Sequence, residues 1–144
     1  IKDIVNQQFE FAEIICNAGL VPIIEPEVDI NSAEKEKCEE ILKREVIKHL
    51  ENWDVAKKIM FKFTIPTKEN LYLDLYNYDC VVRVVALSGG YELEKAVELL
   101  SKNNRMIASF SRALLQDLNV NQTQEEFDEK LGNVINKIYE ASIS

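Results

Sequence analysis
Apolar residues at Ile1, Ile4, Val5, Phe9, Ala12 and Ile15 recur at the spacing of one helix face. The pattern predicts a helix over residues 1–18, closed by Gly19 in a left-handed cap. Val21–Ile24 is a short apolar run and reads as a buried strand. After Ser32, the apolar positions Ile41, Leu42, Val46, Ile47 and Leu50 recur among charges, which predicts an amphipathic helix reaching about Glu51. Lys58–Thr64 alternates instead: Met60, Lys62 and Thr64 share one face of a strand, Ile59, Phe61 and Phe63 the other, and Pro66 ends it. A short helix over Glu69 to about Tyr76 precedes Val81–Leu87, a run nearly continuous in Val that Arg83 interrupts and Ser88-Gly89-Gly90 stops. The rest predicts a helix over Glu92 to about Ser101, a strand over Met106–Phe110, a helix from Arg112 to Leu118 and a last helix over Glu125–Ala141.

One helix followed by four strand–helix units, with strands apolar on both faces, implies an α/β architecture: a parallel sheet covered by helices. Such a chain is either an open doubly wound domain or half of an eight-stranded barrel, and the pattern does not choose between them. Composition narrows the function classes. The 144 residues, 47% of them hydrophobic, suffice for one domain with a real core. No run approaches the ~20 apolar residues of a membrane span. A net charge of −8, spread over helical segments, argues against nucleic acid and for an ordinary cytoplasmic surface. Cys16, Cys38 and Cys80 lie far apart and the chain has 1 His, so neither a metal site nor a disulfide framework is expected, and a reducing compartment fits. The first residue is Ile and no capping residue precedes the first helix, so the chain is expected to begin inside a larger protein.

Chemistry in such sheets gathers at the C-terminal ends of the strands, and four polar features fall there. Glu25 shares a face with Val21 and Ile23, where burial would raise its carboxyl pKa toward that of a general acid/base; an ordinary ion pair at Glu25 or Glu27 is the competing reading. Lys62 sits inside a strand, where a desolvated amine could attack a carbonyl and form an imine. Taken alone, it reads roughly two to one as a lysine whose stem is buried and whose head reaches water. Ser88-Gly89-Gly90 could turn backbone N–H groups toward a phosphate, though a plain loop accounts for such a turn roughly two times in three. Ser111 and Arg112, at the next strand end, could add a hydroxyl and a bidentate guanidinium. In eight-stranded barrels the loops after strands seven and eight commonly build a phosphate site, which these two would be in a second half.

In order, Val21-Pro22-Ile23-Ile24-Glu25-Pro26-Glu27, Lys62 before Phe63-Thr64-Ile65-Pro66, Ala86-Leu87-Ser88-Gly89-Gly90 and Ser109-Phe110-Ser111-Arg112-Ala113-Leu114 resemble class I (Schiff-base) fructose-bisphosphate aldolase, most of all its shorter bacterial branch. The resemblance covers essentially the whole chain and implies the C-terminal half of a (β/α)8 TIM barrel, residues 1–144 forming a single partial domain with strands five to eight. It implies reversible cleavage of fructose 1,6-bisphosphate to dihydroxyacetone phosphate and glyceraldehyde 3-phosphate, in glycolysis and gluconeogenesis, without cofactor or metal. By the same resemblance Lys62 is the imine-forming lysine, Glu25 the acid/base, Glu27 a charged support, and Ser88, Gly89, Gly90, Ser111 and Arg112 the holders of a substrate phosphate. Ser111 stands where the animal enzymes carry Gly, and their terminal Tyr has no counterpart in Ala141-Ser142-Ile143-Ser144. The N-terminal half of the barrel, with an Asp and further lysines of the site, is the expected partner; without it the chain is expected to be inactive. Neither nucleic acid nor membrane is an expected partner, and a homo-oligomer is open. Another Schiff-base sugar-phosphate lyase and a non-catalytic phosphate-binding module are the competing functions.

Overall fold
The computed structural model describes residues 1–143. Helix α1 (Lys2–Asn17) is followed by β1 (Ile23–Ile24), α2 (Lys35–Leu50), β2 (Ile59–Thr64), a 3-10 turn (Leu73–Asn77), β3 (Val81–Leu87), α3 (Leu93–Leu100), β4 (Met106–Ala108), α4 (Arg112–Leu115) and α5 (Gln124–Ser142). The element types follow the periodicity, with some elements shorter than predicted. Gly19 takes φ +82 just after α1, as a left-handed cap requires. Ser32 does not cap α2: its hydroxyl accepts the Glu34 N–H, and the helix starts beyond it without a side-chain cap. The first strand is reduced to two ladder residues because Pro22 offers no N–H, although its carbonyl still accepts from Met60 N–H. The helix predicted over Arg112–Leu118 is a single turn.

The four strands are parallel and lie in sequence order β1-β2-β3-β4. This decides what periodicity could not. A doubly wound sheet reverses its strand order at a switch point and puts helices on both faces. Right-handed crossovers that never reverse put every helix on one face, as in a barrel wall. Burial agrees. Ile59, Phe61 and Phe63 are fully buried and share one core with Val5, Phe9 and Ala12 of α1, Leu42, Val46 and Leu50 of α2, and Leu93, Ala96 and Leu100 of α3. Through that core runs a series of ring contacts: Phe9 stacks on His49, Phe61 on Phe63, and Phe63 on Tyr72 at 4.0 Å. The opposite face is only partly covered, and Ile23 on it is 48% exposed. The accessible surface of 8368 Å² is roughly a tenth above the ~7600 Å² expected of a compact monomer of this mass. The four parallel strands alternating with helices are thus consistent with half of an eight-stranded (β/α)8 barrel.

The outer edge of β4 is partly satisfied from α5. Ala108 N–H donates to Ser142 Oγ at 3.1 Å, and Ser142 in turn donates to Ile138 O. Helix α5 itself begins at a capping box, in which Thr123 accepts the Glu126 N–H while the Glu126 carboxylate accepts the Thr123 N–H. No helix among the described residues is long and apolar enough to cross a membrane.

His49 couples this packing to pH. Its Nε2 lies 2.8 Å from Asn6 Oδ1 and its ring stacks on Phe9 at 4.4 Å. Burial there pushes its pKa below the ordinary 6.5, against an upward pull from Glu45. Below that ordinary value the unfolded chain binds the proton more readily than the folded one, so stability falls as pH drops through 6.5 toward the lowered folded value. The midpoint of thermal unfolding is expected to decline over this window in the parent chain, and the decline to be smaller in His49→Phe, which keeps the stack.

Candidate active site
Because the strands are parallel, their C-terminal ends share one edge of the sheet, and that edge collects the polar residues of interest. The register pairs Ile23 with Met60, and Met60 with Arg83; one step of the pleat further on, Lys62 pairs with Val85. Continuing β1 by the same step sets Glu25 beside Lys62 on the face away from the helices. There Lys62 Nζ donates to Glu25 Oε2 at 2.9 Å. The Lys62 side chain is 23% exposed and that of Glu25 is 44% exposed. The shared face of Val21, Ile23 and Glu25 is therefore as predicted, but the predicted burial of Glu25 is not found. Pro22, Ile24 and Pro26 take the buried side, and Glu25 emerges on the open one. Glu27 is exposed as well.

Thr64, two residues beyond Lys62 on the same face, holds the β1 exit in place. Its hydroxyl accepts the Val28 N–H at 3.1 Å and donates to Val28 O at 2.8 Å, satisfying both backbone groups of a residue just past Glu27. The sequence placed Thr64 on the Lys62 face but gave it no role, since a Thr in a strand carries no signal beyond β propensity.

Ser88-Gly89-Gly90-Tyr91 forms a tight turn closed by Tyr91 N–H to Ser88 O at 3.0 Å. The central residues have φ +64 and +105, the backbone of a primed turn that glycine adopts without strain. Ser88 is buried and Gly90 exposed. Gly89 also has no room for a side chain: a Cβ there would meet Ile30 Cγ2 at 2.8 Å and Thr64 Cγ2 at 3.1 Å. The turn thus packs against the loop that follows β1. On the next strand, Ser109 N–H donates to Ala86 O at 2.8 Å, carrying the β3–β4 pairing past the end of β4. Ser111 and Arg112 follow, both exposed, where α4 begins.

An open cavity of about 450 Å³ runs from Lys62 past Ser109 and Ser111 to Ile135, Ile138 and Tyr139 of α5. Lys62 and Ser111 share this cavity. Ser88, Gly89, Gly90 and Arg112 lie at the neighbouring strand ends but do not line it. The α5 wall was not foreseen, because in sequence those positions look like any amphipathic helix face.

An amine is thus held against a carboxylate at the C-terminal edge of a singly wound parallel sheet, next to a glycine turn, which is the edge where barrel-type α/β folds carry their chemistry. Comparison with known proteins agrees. No protein-family model matches the chain. Over all 144 residues it is 60% identical to the class 1 fructose-bisphosphate aldolase of Clostridium acetobutylicum, and it spans 49% of that protein. The similarity thus runs the whole length of this chain but takes in only about half of that aldolase.

The Gly89 geometry has a direct test. Gly89→Ala forces a left-handed conformation on an L-residue and drives its methyl into Ile30. It is expected to lower unfolding stability by about 1–3 kcal/mol in denaturant titrations.

Proposed function
We propose that the chain carries the imine-forming half of a metal-independent class I fructose-bisphosphate aldolase. Its strands are the fifth to eighth of the barrel, and an N-terminal half supplies the others. The observation that carries this reading is the 2.9 Å contact between Lys62 Nζ and Glu25 Oε2 at the catalytic edge of the sheet, in a chain 60% identical to a class 1 aldolase. Unprotonated, the Lys62 amine attacks the C2 carbonyl of fructose 1,6-bisphosphate and forms a carbinolamine. Glu25, within hydrogen-bond reach of that nitrogen, delivers the proton with which the C2 hydroxyl leaves as water. The resulting iminium takes up the electron pair of the C3–C4 bond when a base on the N-terminal half of the barrel removes the C4 hydroxyl proton. Glyceraldehyde 3-phosphate departs, leaving an enamine on Lys62. Protonation of the enamine and hydrolysis of the imine then release dihydroxyacetone phosphate and restore the amine. Ser88, Gly89, Gly90, Ser111 and Arg112 hold a substrate phosphate, and Glu27 adds negative charge beside the acid/base. The enzyme acts in the cytoplasm, in glycolysis and gluconeogenesis, and self-association through helix faces is compatible with this site.

Borohydride reduction in the presence of dihydroxyacetone phosphate tests the nucleophile in the protein with a complete barrel. A single adduct is expected on Lys62 and none in Lys62→Met, whereas an adduct on another lysine sinks the assignment. Glu25→Gln is expected to slow trapping about 100-fold, and EDTA to leave turnover unchanged. Residues 1–144 alone are expected to show no turnover.

A further inference from the structure
Behind the candidate site lies a polar cluster that the chemistry above does not use. Lys35 and Glu39, one turn apart at the start of α2, are 7% and 0% exposed, and they form an ion pair. Lys35 Nζ donates to Glu39 Oε1, to Ile65 O at 2.9 Å and to Thr67 Oγ1 at 3.1 Å. Glu39 Oε2 accepts the Thr67 N–H at 2.9 Å. Tyr72 packs nearby, and burial together with the Glu39 charge holds its phenol well above the usual range.

Stability alone does not account for this pair. A buried ion pair must recover the desolvation of both charges, and well-packed apolar residues in its place are often as stable or more so. Its location is informative too. All its side-chain hydrogen bonds outside α2 go to Ile65 and Thr67, the exit of β2, which is the end of the sheet where barrel chemistry sits rather than the end that serves stability. The same exit includes Thr64, whose hydroxyl grips Val28 after Glu25-Pro26-Glu27. The start of α2, the exit of β2 and the exit of β1 are thus bonded to one another just beyond the Lys62–Glu25 contact.

The geometry points to Lys35 and Glu39 as positioning residues that fix the β2 exit, so that Lys62 and Glu25 are held at reacting distance. This rests on the reading of Lys62 as the nucleophile. Neither residue touches Lys62, and their effect passes through Ile65, Thr67 and Thr64.

The test uses the protein with a complete barrel and the double variant Lys35→Met/Glu39→Leu, which replaces the pair by apolar residues of similar length. Its unfolding temperature is expected to match or exceed that of the parent. The borohydride trapping rate and kcat are expected to fall about ten-fold, since a small misplacement of reacting groups is costly in rate. KM is expected to stay within about two-fold, because phosphate contacts on β3 and β4 are untouched. Thr67→Val removes one Lys35 partner at an exposed position, and it is expected to slow trapping about three-fold; it decides the matter if the double variant does not fold. Unchanged trapping in these variants, or kcat, KM and unfolding temperature deteriorating together, overturns the positioning role and leaves the nucleophile assignment standing. Absence of a Lys62 adduct in the parent protein overturns that assignment, and the positioning role with it.

Discussion

Parallel pairing of β2 on both sides, by strands that follow one another in sequence order, is the constraint on which the rest of this structure depends. Parallel neighbours require a crossover each time, and crossovers of constant hand on an unreversed sheet stack all helices on one face. Two consequences follow at once. Alternate residues of β2 meet opposite environments, Phe61 and Phe63 fully buried beneath helices and Lys62 on the open side. All strand exits also share one edge, so residues distant in sequence become neighbours there. Glu25 and Lys62, separated by 37 positions, meet at 2.9 Å for this reason.

The site edge is held from below by unlike devices. Apolar burial fixes the strands themselves, with the rings of Phe61, Phe63 and Tyr72 stacked through the core. Beyond the last ladder residues the backbone has no sheet partners, and side chains take over: Thr64 grips Val28, while Lys35 and Glu39 grip Ile65 and Thr67. Gly89 closes the remaining gap by having no side chain where Ile30 and Thr64 approach. The edge is thus braced on the β1–β3 side. On the β4 side it is more open, where Ser111 and Arg112 are exposed and α4 is one short turn.

Much of the candidate site was legible in order but not in environment. The period-two alternation around Lys62 correctly assigned its face, because the pleat leaves no choice once the strand is recognised. The Gly-Gly pair correctly marked a turn, since positive φ at two successive residues demands it. The same alternation wrongly suggested that Glu25 is buried. Apolar neighbours on a strand face show which way a side chain points, not whether anything covers that face. Here Val21 and Ile23 are themselves about half exposed. Thr64 and the Lys35–Glu39 pair were given no role because a Thr in a strand and an i,i+4 Lys–Glu pair on a helix are common in ordinary surfaces. Only their three-dimensional partners distinguish them.

By itself the sequence determined the kinds of element, their order and the chemistry available at each strand end, because hydrophobic period and glycine placement act over a few residues and need no distant partner. Strand order, the single covered face, the Lys62–Glu25 contact and the bracing of the β2 exit were decided only by tertiary structure. Each depends on groups from different strands and helices meeting in space, and no local pattern encodes which of several parallel neighbours a strand will take.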